Sequence, residues 1–142
     1  MRRLLSLFSV LSAMIVAVAM VLVPAGPASA LGGEQLLCRI VPVTGTPPFT
    51  SICSNRLPRT GTYSAGFHIF NTSGTYSSIV WTLPAGYPAA FGCGNGSVDC
   101  SINMSSSFDQ DATMQVTLTQ GGASLTLSAR AHINAVCGTM LC

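Results

Sequence analysis

The sequence predicts an all-β protein, a two-sheet Greek-key sandwich of about seven strands preceded by a signal peptide. Apolar and polar residues alternate over 112–119 and again over 124–133, so each run has one apolar and one polar face. Gly121-Gly122 between the runs predicts a hairpin turn, because glycine adopts positive φ at little steric cost. A hairpin with one apolar face needs a second sheet to cover it. Other short alternating stretches, separated by glycine and proline turns, supply the strands of that sheet.

The N-terminal segment has the three parts of a signal peptide. Arg2 and Arg3 precede an apolar run from residue 4 to residue 23. Ala28-Ser29-Ala30 follows, with small residues at the two positions that signal peptidase recognises before its cleavage site. We expect cleavage after Ala30, which leaves a single secreted domain at 31–142. The apolar run is also long enough to span a bilayer, so an uncleaved membrane anchor is the alternative. Its length and Ala/Val/Leu content resemble the signals of high-GC Gram-positive bacteria.

The charge balance of residues 31–142 excludes some partners. Nucleic-acid binding requires several clustered cations that displace counterions from phosphates, and the chain has no lysine. We therefore expect no nucleic-acid partner, and a membrane partner only if the signal segment is uncleaved. After residue 30 the charges balance, with Arg39, Arg56, Arg59 and Arg130 against Glu34, Asp99, Asp109 and Asp111.

The cysteines predict a disulfide framework. An even number of cysteines in an exported chain of this size indicates disulfides, here three. The nearest neighbours in sequence are the favoured pairs, although other pairings are open. No pair has the C-x2-C spacing of a zinc site, so we expect no metal. The favoured pairs are Cys38–Cys53, Cys93–Cys100 and Cys137–Cys142.

The other elements follow in chain order. Pro42 and Pro47-Pro48 keep the first strand away from the centre of a sheet. Trp81 shares one face of its strand with Ile79 and Leu83, which predicts that it lies in the core. The tail either closes on itself or reaches back to the sheet. Strands are predicted at 36–41, 49–53, 65–70, 75–83, 98–104 and in the two arms of the hairpin, with the tail at 135–142.

The segment L-P-R-T-G at 57–61 resembles the anchoring signal that sortases cleave. In that family the motif precedes a C-terminal apolar stretch and a basic tail. Here a patterned domain follows it, and cleavage would divide that domain. A proline–glycine turn between two strands is the favoured interpretation.

Residues 62–133 resemble bacterial immunoglobulin-like domains of the polycystic-kidney-disease (PKD) type. The residues that carry the resemblance are Y-S-S-I-V-W-T-L-P-A-G at 76–86 and the turn with Asp109 and Asp111 that leads into 113–119. The resemblance implies a fold and no activity. The chain departs from true immunoglobulin domains, which join their sheets by cysteines in the second and sixth strands. Phe67, Ile69, Met114 and Val116 occupy those inward places.

Residues suited to catalysis are few. His68 and His132 lie among apolar strand residues, and neither accompanies a nucleophile motif such as G-x-S-x-G. A triad with Asp109 or Asp111 is the alternative to ordinary sheet histidines. Asp109 and Asp111, in D-x-D spacing, together with Asp99 are a weak calcium signal, and a solvated turn is favoured. We expect no catalytic residue, no cofactor and no bound metal.

Aromatic residues give the better functional prediction. Tyr63, Tyr87 and Phe91 are predicted in loops, where aromatic rings on a rigid sandwich contact sugars or proteins. The sequence predicts a secreted, non-enzymatic binding or structural module associated with the cell wall or with carbohydrate. Its partner is an extracellular protein or carbohydrate whose identity is unknown. A small secreted inhibitor or antimicrobial protein is the alternative.

Overall fold

The computed structural model describes residues 31–42 and 46–142; the predicted signal peptide and its cleavage site lie outside these residues. The described chain is all-β, and it contains no helix long and apolar enough to cross a membrane. The strands are β1 Gln35–Val41, β2 Ile52–Ser54, β3 Thr62–Phe70, β4 Ser78–Thr82, β5 Ala89–Phe91, β6 Asp99–Ser105, β7 Gln110–Gln120, β8 Ala123–Ile133, β9 Val136–Cys137 and β10 Met140–Leu141.

The strands form two four-stranded sheets and a terminal hairpin. The first sheet has the order β1-β3-β6-β5 and is antiparallel throughout. The second has the order β2-β8-β7-β4, in which β2 runs parallel to β8. Strands β9 and β10 pair with each other, so the tail closes on itself. The backbone N–H of Val136 also donates to the carbonyl of Ser106, which ties this hairpin to the domain.

The longest strands form the predicted hairpin. β7 and β8 pair from Gln110↔Ile133 to Gln120↔Ala123, and Gly121 and Gly122 make the turn at φ values of 57° and 83°. The apolar residues of β7 are buried, while the polar residues that alternate with them face outward. Hydrophobic burial therefore fixes the register, because a slip of one residue would expose every apolar side chain.

One hydrophobic core lies between the sheets. Its largest fully buried side chains come from both sheets and include Tyr63, Phe67, Met104 and Met114. Trp81 is buried as expected, and its Nε1–H donates to the carbonyl of Ser97 at 2.8 Å. The indole therefore fills core volume without leaving its one donor unpaired.

Three disulfides join the cysteines in the pairs that the sequence favours. Cys38–Cys53 connects β1 of the first sheet to β2 of the second. Cys93–Cys100 fastens the segment after β5 to β6, and Cys137–Cys142 closes the terminal hairpin. This framework fits an extracellular or otherwise oxidising environment.

The segment 57–61 is a loop between β2 and β3 that is bound into the domain. The Tyr63 hydroxyl donates to the carbonyl of Leu57 and accepts from the Arg59 N–H. The Gly61 N–H donates to Ser106 Oγ at 2.9 Å. These contacts agree with the turn interpretation of this motif.

Candidate functional site

The outward face of the first sheet carries an unusual row of residues. Inward-pointing residues such as Cys38 and Phe67 are buried, so their chain neighbours Arg39 and Gly66 point outward. The strand register places Arg39 opposite Gly66, Gly66 opposite Ser101, and Ser101 opposite Phe91. The row therefore crosses all four strands of the sheet with a glycine near its middle.

Gly66 makes this row a trough. A Cβ built on Gly66 would meet no atom within 4 Å, and the residue lies in ordinary extended backbone, so its contribution is space. We call the resulting cavity the Gly66 groove. It has a volume of about 160 Å³ and is lined by Arg39, Phe49, Gly66, Phe67, Phe91, Asp99, Cys100 and Ser101.

Two aromatic rings flank the groove. Phe91 lies in the short edge strand β5 and is 76% exposed. Phe49 precedes Thr50, whose backbone pairs with that of Cys38, and this pairing holds Phe49 beside β1. The Phe49 ring contacts the Phe70 ring at a centroid distance of 5.1 Å, and the guanidinium of Arg39 lies 4.6 Å from the Phe49 centroid. Packing and a cation–π contact thus orient one ring.

Charged groups of both signs line the groove. Asp99 Oδ1 lies 2.6 Å from Nδ1 of His68, so that carboxylate has a partner on its own sheet. The Arg39 guanidinium has no acidic partner among the described residues. The groove therefore offers hydrogen-bond donors from Arg39 and acceptors from Asp99, separated by an open floor.

Of the three aromatic residues predicted to bind a ligand, only Phe91 lines this groove. Tyr63 was predicted in a loop and lies in β3, fully buried, so its ring belongs to the core. Tyr87 packs against the core, and its hydroxyl donates to Gln110 Oε1 at 2.9 Å. The burial of Tyr63 in β3 contradicts its predicted loop position and leaves no ring surface for a ligand. Tyr87 lies in a loop as predicted, but its ring is half-buried and lies outside the groove.

The other histidine lies on the outward face of the second sheet. His132 Nδ1 is 3.0 Å from Asp111 Oδ1, and His132 Nε2 is 3.2 Å from Asn134 Oδ1. Arg130 binds both carboxylate oxygens of Asp111 at 2.8 Å. Chiefly because of this hydrogen bond from Arg130, the pKa of Asp111 is lowered to about 2. In the described residues neither histidine ring is hydrogen-bonded to a hydroxyl or a thiol.

The carboxylates of the calcium alternative have separate partners. Asp109 accepts from the Ala135 N–H at 2.7 Å, Asp111 binds Arg130, and Asp99 binds His68. Across residues 31–42 and 46–142, no three metal-ligating side chains come together. The described acidic residues therefore act within the domain's own hydrogen-bond network.

A larger cleft lies between the β3–β4 loop and the turn at Asn95-Gly96. It measures about 430 Å³ and is lined mostly by glycine and by serine and threonine hydroxyls. Tyr76 is its one aromatic lining residue, and the Tyr76 hydroxyl donates to Glu34 at 2.9 Å. This cleft has no charged lining residue and no exposed ring, so the smaller Gly66 groove is the better candidate for a binding site.

Glu34 is a buried carboxylate that fastens the start of the domain to the β3–β4 loop. It accepts from the Gly32 and Gly33 N–H groups and from the hydroxyls of Ser73 and Tyr76. These bonds, that from Gly32 first, lower the pKa of Glu34 from 4.5 to about 2. Since folding lowers the pKa of Glu34, its carboxylate stabilises the folded state fully above about pH 4.5. This stabilisation is lost as the pH falls towards 2.

We expect Glu34→Gln to lower the free energy of unfolding at pH 7 by about 2 kcal/mol, because the lost hydrogen bonds are to a charged acceptor. Urea unfolding at pH 7, 4 and 2.5 measures the effect. The difference between the wild-type protein and the variant should shrink as the pH falls, since wild-type Glu34 becomes protonated. A difference that stays constant across this range would contradict the assignment. Asp111 leaves some pH dependence in both proteins.

Comparisons of the chain with models of protein families, with curated proteins and with solved structures found no match to any of them.

Sequence reasoning missed most of the groove. Alternation in β1 and β3 is sufficient to place Arg39 and Gly66 on outward faces. It does not place Ser101 and Phe91 beside them, because that depends on the order β1-β3-β6-β5. Phe49 lies outside any strand and was predicted within a short one. The one available signal was an arginine and a glycine on the outward faces of two predicted strands.

Proposed function

We propose that the domain is an immunoglobulin-like Greek-key sandwich. The strand order β1-β3-β6-β5 supports this, since it corresponds to the A-B-E-D sheet of such domains. The order β8-β7-β4 corresponds to the G-F-C sheet, with β2 added beside the last strand. The kinship with PKD-type domains stays a prediction.

We propose further that the protein is a secreted, non-enzymatic module that binds carbohydrate in the Gly66 groove. The observation that carries this proposal is the open trough between the rings of Phe49 and Phe91. A sugar ring has apolar C–H faces and a polar rim. Aromatic rings pack against the faces, while Arg39 and Asp99 are placed to bond hydroxyls at the rim.

The sheet supports binding by holding these groups in place beforehand. Gly66 and Ser101 belong to the central strands β3 and β6, and Cys100 is fixed by its disulfide to Cys93. A rigid site loses less conformational entropy when a ligand binds.

The surroundings of the two histidines support a non-enzymatic role. His68 Nδ1 is bonded to Asp99, and both ring nitrogens of His132 are bonded within the domain. A general base must lie within hydrogen-bond reach of the group that it deprotonates, and a nucleophile must stand beside it. Neither histidine has such a neighbour in the described part of the chain.

Phe91→Ala tests the proposed function. We expect this variant to weaken co-sedimentation with insoluble polysaccharides, among them chitin, cellulose and cell-wall preparations, by about thirtyfold, as for a buried aromatic contact in an interface. Phe108→Ala is the matched control, because Phe108 is also exposed, at 62%, and lies outside the groove. Its binding should equal that of the wild-type protein.

Three results would contradict the proposal. One is equal loss of binding in both phenylalanine variants, which would indicate non-specific adhesion. Another is inhibition of common proteases by a protein that binds no polysaccharide, which would support the inhibitor alternative. Turnover of a bound polysaccharide that disappears with His68→Ala would instead identify an enzyme.

A further inference from the structure

A second, smaller pocket lies beside the Gly66 groove. It has a volume of about 90 Å³ and is bounded by β1, by β2 and by the prolines that precede Phe49. Two arginines, Arg39 and Arg56, line it together with the hydroxyl residues Thr50 and Ser54. We call it the Arg56 pocket. Arg39 also lines the Gly66 groove, so the two cavities share one side chain.

The two arginines have no carboxylate of their own. All four acidic residues of the described chain bind elsewhere: Glu34 to the β3–β4 loop, Asp99 to His68, Asp109 to Ala135 and Asp111 to Arg130. Each guanidinium carries N–H donors in a fork that matches a carboxylate or a phosphate. A domain with so few charges thus places two uncompensated cations at one pocket.

The size of the pocket limits what can occupy it. It is smaller than the groove and suits a charged group such as a carboxylate or a phosphate, whereas the groove suits a ring. Two arginines are also too few for a nucleic acid, whose binding needs many phosphate contacts at ordinary salt. Because Arg39 borders both cavities, one ligand can place its ring in the groove and its charge in the pocket.

We propose that the ligand is an anionic polysaccharide, bound with a sugar ring in the Gly66 groove and a carboxylate or phosphate between Arg39 and Arg56. This inference rests on the proposed carbohydrate function and specifies the class of carbohydrate. Phe49 links the two cavities, since its ring packs against the Arg39 guanidinium. The aromatic rings supply affinity for any suitable ring, and the arginines select the charged polymer.

Isothermal titration with defined oligosaccharides tests the inference. The probes are oligogalacturonate, its fully methyl-esterified form and an oligosaccharide joined by phosphodiesters. We expect the wild-type protein to prefer one or both acidic probes over the uncharged ester by about tenfold, as for one charge-assisted contact. This preference should shrink as sodium chloride is raised from 0.02 to 0.5 M, because exposed charges are screened.

Arg56→Gln is the decisive variant. It should remove the preference for the acidic probes and leave binding of the methyl ester unchanged, since the groove is intact. Arg56→Lys should restore part of the preference, because it keeps the charge without the fork. Arg59→Gln is the matched control: Arg59 is exposed, lies outside both cavities, and its loss changes net charge equally. It should keep the full preference.

The outcomes separate this inference from the proposed function. If Phe91→Ala abolishes binding but the wild-type protein binds acid and ester equally, the carbohydrate function stands and the inference is wrong. The same conclusion follows if Arg59→Gln lowers the preference as much as Arg56→Gln, since net charge would then explain it. Equal affinity for a DNA oligonucleotide would also overturn the inference. If no probe binds in the titrations and Phe91→Ala leaves co-sedimentation with polysaccharides unchanged, the proposed function fails.

Discussion

Gly66→Val is expected to abolish carbohydrate binding and to leave the domain at least as stable as the wild-type protein. The valine side chain would fill the floor of the groove between Phe49 and Phe91, where a sugar ring is proposed to lie. The first carbon of the side chain has room, because a Cβ at this position meets no atom within 4 Å, and the backbone is extended. Valine also suits a strand better than glycine, by about 1 kcal/mol.

This variant separates binding from folding more cleanly than an aromatic deletion does. Thermal unfolding should show an unchanged or higher Tm, while co-sedimentation with polysaccharide falls to background. Ser64→Val is the matched control, since Ser64 lies on the same outward face of β3 and outside the groove. Gly66→Ala should give intermediate binding. If Gly66→Val binds as well as the wild-type protein, the ligand does not occupy this groove.

The parts of the fold that the sequence predicted are those with strong local patterns. Strict alternation in β7 and β8 and the glycine pair between them defined the hairpin, since burial of one face leaves a single register. The disulfides were predictable for a related reason: each cysteine pairs with its nearest neighbour along the chain. In all three bonds the partners are at most 15 residues apart.

Weak or short patterns were missed. Strand β5 has three residues, Ala89–Phe91, all exposed, so no alternation distinguishes it from a loop. Tyr63 lies only one residue into β3, at an end where Gly61 and Ser64 suggest a turn. Its burial depends on β6, because Tyr63 pairs with Met104 across the first sheet. Pairing with β6 decides both cases, and no local pattern reveals it.

The groove was beyond prediction for the same reason. Its members come from β1, β3, β5, β6 and the segment before Thr50, and only the assembled sheet brings them into one row. The sequence indicates Phe91 as a candidate for ligand binding because it is an aromatic residue near glycines. This prediction does not depend on the residues that lie beside Phe91 in the sheet. The function proposed for Arg39 and Asp99 depends on the open floor that Gly66 leaves between them.

Removal of the Cys38–Cys53 disulfide is expected to produce the largest loss of stability of any change considered. This bond joins the two sheets and closes a loop of 15 residues, worth about 3 kcal/mol from loop entropy. Both cysteines are also buried in the core, so replacing them by alanine removes packed sulfur atoms. Strand β2 has only three residues and pairs with β8 alone. Hydrogen bonds between Asn55 and Asn134 also hold its end to the second sheet, but within the described chain the disulfide is the covalent link from β2 to the first sheet.

The double variant Cys38→Ala with Cys53→Ala should therefore lower the free energy of unfolding by about 3 to 4 kcal/mol in urea titrations. Cys137→Ala with Cys142→Ala is the matched control, because that bond closes a loop of 5 residues in an exposed terminal hairpin, worth about 2 kcal/mol at most.

Ligand binding should also fall more in the Cys38/Cys53 double variant than in the Cys137/Cys142 double variant. Cys53 lines the Arg56 pocket and Arg39 follows Cys38, so release of β2 should open the pocket and remove the proposed preference for acidic probes. Equal destabilisation by the two double variants would show that the link between the sheets is not what this disulfide supplies.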